Sequence, residues 1–291
     1  MSNSFWDKIR ILVTNRCNYT CSFCHNEGQE KDSCKNIMSF NDFKVFVDFL
    51  KELPLSEINI SGGEPFLNKE VSEMLLYLCE NFKSDITCAT NLSLITDEDI
   101  DKLSGTRVKF NVQFPYVSNE LFHKSTGNGN LSYILEKIRK IRNNNLVVGL
   151  NTVVQSNNTD VYERVILFAI ENELPLKLLP QIGNNSESKY YRDSLYPLLE
   201  KYSIDFKDKM SGATRWTLCN DGKRTIVLYI DSPCFTNDIK RCRNYGEIRI
   251  HPNFFAQTCI NKTTGTFLKI HDGKTTVINQ LSELWKNFTN C

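Results

Sequence analysis

From residue 8 to about residue 203 the chain switches six times between a short apolar run and a stretch of helical spacing. The apolar runs read as strands over 8–13, 57–60, 85–90, 108–114, 146–154 and 176–179. The stretches between and after them read as helices over 39–53, 69–82, 96–103, 131–143, 160–172 and 189–202. In the first helix Phe43, Phe46, Val47 and Leu50 recur on one face, and Ser39 with Asp42 resembles a capping box. Thr96 caps the third. Strands that alternate with helices predict a parallel sheet with the helices outside it. Six units are too few for the eight-fold barrel. They predict an α/β fold built on a partial, open (β/α)6 barrel of TIM type, with functional groups at the carboxyl ends of the strands.

After about residue 204 the rhythm changes. Strands are expected over 224–230 and 247–250 with no helix between them. A turn at His251-Pro252-Asn253, a strand over 254–259 and a last helix over 277–288 follow. The expected division is therefore a barrel over 1–204 and a small hairpin-and-helix module over 205–291.

Charge excludes some functions. Lys plus Arg is 35 and Asp plus Glu is 34, so the net charge of +1 carries no footprint for nucleic acid or an acidic partner. No apolar run is long enough to span a bilayer or serve as a signal peptide, which predicts a cytoplasmic protein. Eleven cysteines in a reducing compartment point to metal ligation rather than a disulfide framework. Because eleven is odd, at least one is a bystander. Cys79 and Cys88 fall inside an apolar helix and strand and are expected in the core, and Cys34 reads as incidental.

The first strand runs into Thr14-Asn15-Arg16-Cys17-Asn18-Tyr19-Thr20-Cys21-Ser22-Phe23-Cys24-His25, spaced Cys-x3-Cys-x2-Cys. Thiolates are soft ligands suited to iron–sulfur clusters. Three of them on a four-iron cube leave one iron open to a small molecule. A zinc site made of Cys17, Cys21, Cys24 and His25 is the competing reading, but adjacent Cys24 and His25 would crowd one tetrahedral metal. The second strand ends in Ser61-Gly62-Gly63-Glu64-Pro65. Its glycines let backbone approach a ligand closely, and Glu64 offers a carboxylate to an ammonium.

This cysteine spacing, with Phe23 before the third cysteine, resembles the radical S-adenosylmethionine (SAM) superfamily over roughly residues 8–180. The resemblance implies a 4Fe–4S cluster on Cys17, Cys21 and Cys24, its open iron chelated by SAM, and a SAM amino group bound at Gly62, Gly63 and Glu64. Thr90-Asn91 matches a Thr-Asn-Gly that contacts the SAM ribose, with Leu92 in place of the glycine. His123-Lys124-Ser125-Thr126-Gly127 resembles a His-x-x-Arg-Gly loop with Thr126 in place of the arginine. Val112-Gln113-Phe114-Pro115-Tyr116 replaces a frequent Ser-Leu-Asp, leaving Gln113 as the candidate contact there, and Asn151 matches an asparagine near SAM.

In the last part, Cys234-x7-Cys242-x16-Cys259 brackets the expected hairpin. A hairpin returns its two ends to one place, so Cys242 and Cys259 can share a cluster. This resembles the Twitch half of the SPASM module found in molybdenum-cofactor GTP cyclases and peptide-modifying radical SAM enzymes. There the hairpin turn carries a glycine; here Asn253-Phe254 takes its place. The implied cofactor is a second 4Fe–4S cluster on Cys234, Cys242 and Cys259, with Cys291 or Cys219 as the fourth ligand. Ordinary buried thiols are the alternative.

The resemblance implies that a reductant such as flavodoxin or ferredoxin feeds the first cluster, and that SAM is cleaved to a 5′-deoxyadenosyl radical which takes hydrogen from a substrate. The expected substrate is a peptide or small metabolite. The GTP cyclases' Gly-Gly tail is absent from a chain ending Thr289-Asn290-Cys291, and no separate peptide-binding domain precedes the first strand. A nucleotide-cyclising enzyme is the alternative. A two-cluster electron carrier is another, but a carrier needs no Gly62-Gly63-Glu64. A zinc-stabilised binding module is the remaining class.

Overall fold

A computed structural model of the chain describes residues 6–25, 36–182, 185–261 and 263–290. Cys34 and Cys291 lie outside the described residues. The chain begins with β1 (Lys8–Leu12), α1 (Phe40–Asp48), β2 (Glu57–Ser61), α2 (Val71–Asn81), β3 (Asp85–Thr90), α3 (Asp97–Leu103) and β4 (Lys109–Gln113). It continues with α4 (Asn119–Thr126), α5 (Leu131–Asn143), β5 (Val147–Val154), α6 (Thr159–Glu171), β6 (Leu176–Pro180) and α7 (Tyr191–Tyr202). The remainder holds β7 (Ser203–Asp208), β8 (Ala213–Asn220), β9 (Lys223–Ile230), α8 (Ile239–Tyr245), β10 (Glu247–Ile250), β11 (Phe255–Gln257), β12 (Thr266–Phe267) and α9 (Lys274–Lys286).

Among the described residues the strands form one sheet in the order β12-β11-β10-β1-β2-β3-β4-β5-β6-β9-β8-β7. Strands β1 to β6 are parallel neighbours, as the alternation predicts. The parallel run is longer than six. β10 pairs parallel to β1, Lys8 opposite Glu247, and β9 pairs parallel to β6, Leu176 opposite Val227. Both outer edges of the six-strand sheet would otherwise expose unpaired N–H and C=O groups. The stretch after residue 204 covers them, with an antiparallel meander on one side and a hairpin on the other. The sheet is not closed into a ring among the described residues.

Side chains alternate along each strand. Ile9, Ile11, Ile58, Ile60, Ile86 and Phe110 are fully buried against Phe43, Phe46, Leu75 and Leu78 of the helices. Each contributes roughly 1.5–3 kcal/mol of apolar burial. Their strand neighbours Arg10, Asn59 and Thr87 fall on the opposite face, which is the inside of the curved sheet.

Several boundaries differ from the sequence reading. α1 ends at Asp48 because its last hydrogen bonds tighten, Phe49 N donating to Phe46 O and Leu50 N to Val47 O. At its start Ser39 accepts from Asp42 N, while the reciprocal capping box is complete at Thr96 and Asp99. The expectation of no helix between residues 230 and 247 is wrong: α8 lies there. Asp238 caps it by accepting from Arg241 N at 3.1 Å, and Gly246 ends it at φ 72°. β7 and β8 were also unforeseen. Their signal is Trp216 and Leu218 buried on one face of β8, followed by Asp221-Gly222 at φ 48° and 79°, the two-residue hairpin turn.

Candidate functional site

The cysteine loop leaves β1 at its carboxyl end, where the fold places functional groups. Three neighbours hold it. From β2, Gly63 N donates to Thr14 O at 2.9 Å and Glu64 N to Arg16 O at 2.8 Å. A Cβ on Gly62 would stand 2.4 Å from Thr14 O, and one on Gly63 would stand 2.1 Å from Arg16 O. The close approach these glycines permit is therefore to the cysteine loop itself, backbone to backbone. From α4, Thr20 N donates to Thr126 O at 3.1 Å and Ser22 N to Ser125 O at 3.0 Å. Gly127 has φ 84°, and a Cβ there would sit 2.1 Å from Thr20 Oγ1. From β3, Asn91 Nδ2 donates to Asn18 Oδ1 at 3.0 Å, and Asn18 Nδ2 to Ser93 Oγ at 2.7 Å.

Glu64 ties these supports together. It is fully buried and accepts from Thr90 Oγ1 at 2.7 Å, Asn91 N at 2.7 Å and Phe66 N at 3.2 Å. Burial pushes its carboxyl up to about 7 against the pull of those donors. Three donors fill three of the roughly four acceptor sites of a carboxylate, which leaves capacity for one ammonium hydrogen. Thr90 and Asn91 are engaged in the same clasp, 5 % and 6 % exposed. Leu92, where the resembling family has glycine, adopts the left-handed backbone at φ 60°.

Cys17, Cys21 and Cys24 are each partly buried on the loop. Burial first, then the neighbouring sulfurs, pushes the Cys21 thiol up to about 12. For Cys17, burial and the charges of Glu64 and Cys24 outweigh a lowering hydrogen bond, giving about 11. A bound cation or cluster inverts that preference, because it deprotonates the thiols it takes as ligands. Cys17 Sγ already accepts the Tyr19 N–H at 3.4 Å, and such bonds tune iron–sulfur clusters. Among the described residues no three Cys, His, Asp or Glu side chains are set closely around one metal ion. His25 does not join the cysteines. Burial, Arg249 and Arg10 together lower it to about 4, so it stays neutral. Phe23 is buried, 6 % exposed.

Deeper in, Gln113 of β4 and Asn151 of β5 are register neighbours. Gln113 Nε2 and Asn151 Oδ1 are buried without a hydrogen-bond partner. Such atoms are costly unless a ligand satisfies them. A donor at the carboxyl end of β4 and an acceptor beside it on β5 fit a polar cofactor such as SAM, and the acceptor site left on Glu64 fits its ammonium.

Cys234 sits in the short turn after β9, its N–H donating to Ser232 Oγ at 3.3 Å. Cys242 lies on α8, partly buried, and Cys259 is buried two residues beyond β11. Arg243 Nη1 donates to Trp285 O at 2.8 Å and Phe288 O at 2.6 Å, which brings α8 to the end of α9. Cys219 pairs with Arg224, at the opposite end of the β8–β9 ladder from Ile230. Six residues of strand put it ~20 Å from the turn that carries Cys234, so it cannot share a cluster with Cys234. Phe254 adopts the left-handed backbone at φ 61° in the turn between β10 and β11. Cys88 is fully buried in β3, as expected of a core thiol, while Cys79 on α2 is half-buried and packs against the core from its edge. A cavity of about 480 Å³ beside β12 and α9, lined by Thr258, Thr266, Gln280 and Glu283, lies at the outer edge of the sheet.

The sequence reading missed the charged groups inside the barrel: Arg10, Lys177, Glu247 and Arg249. Their signal was present. Ile9-Arg10-Ile11 and Glu247-Ile248-Arg249-Ile250 alternate charge with isoleucine, which in a parallel strand buried on both faces means a charge pointing inward.

The pattern of the radical SAM superfamily matches residues 11–169. The GTP 3′,8-cyclase of Clostridium perfringens is 23 % identical over 278 residues, covering 90 % of this chain and 83 % of that protein. A probable GTP 3′,8-cyclase of Saccharolobus islandicus is 30 % identical over 206 residues, 68 % of this chain and 66 % of its own. Among solved structures, Streptococcus suis SuiB bound to S-adenosylmethionine superposes with a TM-score of 0.68 at 15 % identity, over 97 % of this chain and 64 % of SuiB. The chain thus spans just under two thirds of SuiB. Native anSMEcpe with bound AdoMet gives 0.66 at 15 % identity, over 96 % of this chain and 81 % of that one. At those identities the likeness is one of fold. The family pattern covers more than half of the chain and includes all three cysteines of the loop, and on that ground the chain belongs to the radical SAM superfamily.

Proposed function

We propose that this radical SAM enzyme reductively cleaves S-adenosylmethionine and uses the resulting radical on a peptide or small-metabolite substrate. Cys17, Cys21 and Cys24 would hold a 4Fe–4S cluster, which would supply the electron for SAM cleavage, with a flavodoxin or ferredoxin as its reductant. The protein's share is to bind, orient and exclude water. Glu64 would receive the SAM ammonium while holding the ends of β2 and β3 together. Gln113 and Asn151 would take polar groups of SAM, and Thr90, Asn91 and Phe23 would line its approach. The observations that carry this reading are the cysteine loop pinned at the carboxyl end of β1 and the two unsatisfied buried amide groups of Gln113 and Asn151.

The stretch 205–291 would act as a second, Twitch-like unit. Cys234, Cys242 and Cys259 would bind an auxiliary 4Fe–4S cluster, with Cys291 as fourth ligand, to hold substrate or pass an electron.

The test is an anaerobic assay of the iron-loaded protein with SAM and dithionite, read as 5′-deoxyadenosine. Formation of that product in the wild type and none in the variant with Cys17, Cys21 and Cys24 all changed to Ala is expected. Equal product from both would overturn the reading. A nucleotide-cyclising activity is the second reading, favoured by the likeness to the Clostridium GTP 3′,8-cyclase along 90 % of this chain. Consumption of GTP in the same assay would select it.

A further inference from the structure

Inside the barrel, β1 and β10 set two arginines side by side: Arg10 is the register partner of Arg249. One carboxylate serves both. Glu247 Oε1 and Oε2 accept from Arg10 Nε at 3.3 Å and Nη2 at 3.2 Å, and Glu247 Oε1 lies 3.1 Å from Arg249 Nη2. Tyr245 OH donates to Glu247 Oε2 at 3.4 Å. The Glu247 side chain is only 7 % exposed, against 20 % for Arg10 and 14 % for Arg249. Across the barrel, Lys177 Nζ donates to Asn111 Oδ1 at 3.3 Å and forms no ion pair among the described residues. Glu57 adds a second carboxylate and accepts the Thr87 hydroxyl at 2.8 Å.

A polyphosphate carries several negative charges and needs cations whose hydrogen-bond directions point at it, arginine forks above all. Here Arg10 already closes its fork on a buried carboxylate, and Arg249 meets the same carboxylate through Nη2. A triphosphate entering this space would meet Glu247 at close range. To recruit the arginines it would have to leave that carboxylate with the Tyr245 hydroxyl in place of two cations, which is costly for a buried charge. A neutral or singly charged substrate disturbs nothing.

We propose that Glu247 is a specificity-determining residue that engages both barrel arginines and shuts nucleoside triphosphates out. This rests on the peptide or small-metabolite reading above and sharpens it. Like charges placed against each other at an interface select against wrong partners in this way.

The test is equilibrium dialysis of the full-length, iron-loaded protein with SAM present, under anaerobic conditions, using guanosine and GTP as probes. In the wild type GTP should bind less than about ten-fold tighter than guanosine, or neither should bind. In Glu247→Gln, GTP affinity should rise by about ten-fold or more while guanosine is unchanged, the scale expected for one close charge. A wild type that prefers GTP to guanosine by ten-fold or more overturns the proposal. So does a folded Glu247→Gln variant with unchanged GTP affinity. If that variant does not fold, the wild-type comparison decides alone. 5′-Deoxyadenosine formation is read separately, so failure here does not fall on the radical SAM reading, nor the reverse.

Discussion

The carboxylate of Glu64 accepts the hydroxyl of Thr90 at 2.7 Å, with Glu64 fully buried and Thr90 5 % exposed. This bond joins the carboxyl ends of β2 and β3 at the level of the cysteine loop. With Asn91 N and Phe66 N on the same carboxylate, it makes Glu64 a structural clasp as well as the proposed SAM contact.

Removing the clasp should therefore cost stability as well as SAM binding. Glu64→Ala leaves the Thr90 hydroxyl and two backbone N–H groups without their acceptor, a loss on the order of 3 kcal/mol in denaturant unfolding. Iron content should fall with it, since Glu64 N holds Arg16 O of the loop and this segment loses its tie to β3. Glu64→Gln keeps one acceptor oxygen and should lose less on both measurements. Wild-type stability in Glu64→Ala would mean that the clasp is dispensable.

Gly63→Ala should abolish iron loading. Its Cβ would stand 2.1 Å from Arg16 O and 2.8 Å from Cys17 N, both backbone atoms that no rotamer change can move aside. Gly105→Ala is the control. Its Cβ would meet nothing within 4 Å, and the only penalty is its φ of +74°, about 1–2 kcal/mol. Iron per chain in the two variants, measured after identical reconstitution, should differ sharply. Equal loading would contradict the tight seat of the cysteine loop.

With Cys17, Cys21 and Cys24 replaced by Ala, the proposed auxiliary cluster should remain and hold about four irons. Adding Cys242→Ala or Cys259→Ala should remove them. Adding Cys79→Ala, Cys88→Ala or Cys219→Ala should not, since the first packs half-buried against the core, the second is buried in it and the third sits far along the β8–β9 ladder from Cys234. An iron count of zero in the triple variant would mean that no second cluster exists.

Gly127→Val should weaken the seat of the cysteine loop from its other side. The residue closes α4 at φ 84°, and a Cβ would strike Thr20 Oγ1 at 2.1 Å. A β-branched residue is strained in that conformation and clashes as well. Lower iron retention and a lower thermal midpoint are expected. Pairing it with Thr20→Ala relieves the clash but not the strain, so partial recovery should follow. No recovery would place the whole effect in the backbone.

The sequence alone determined the family chemistry and most of the barrel. Cys17, Cys21 and Cys24 are legible because ligand spacing is a local property of the chain. The six strand–helix units are legible because periodicity is local too: α5 begins and ends where its apolar spacing does, at Leu131 and Asn143. What only the tertiary structure decided are the pairings that bridge long sequence separations. Arg10 and Arg249 lie side by side because β10 crosses the whole chain to pair with β1, and nothing local to either residue encodes that. The same holds for Glu64, whose partners Thr90 and Asn91 arrive on another strand, and for Gly62 and Gly63. Those glycines announce a close backbone approach by themselves, but the fold decides that the approach is made by Thr14 and Arg16. Local signals fix which conformations are allowed to each segment, whereas a site is a set of distances between segments, and packing sets those.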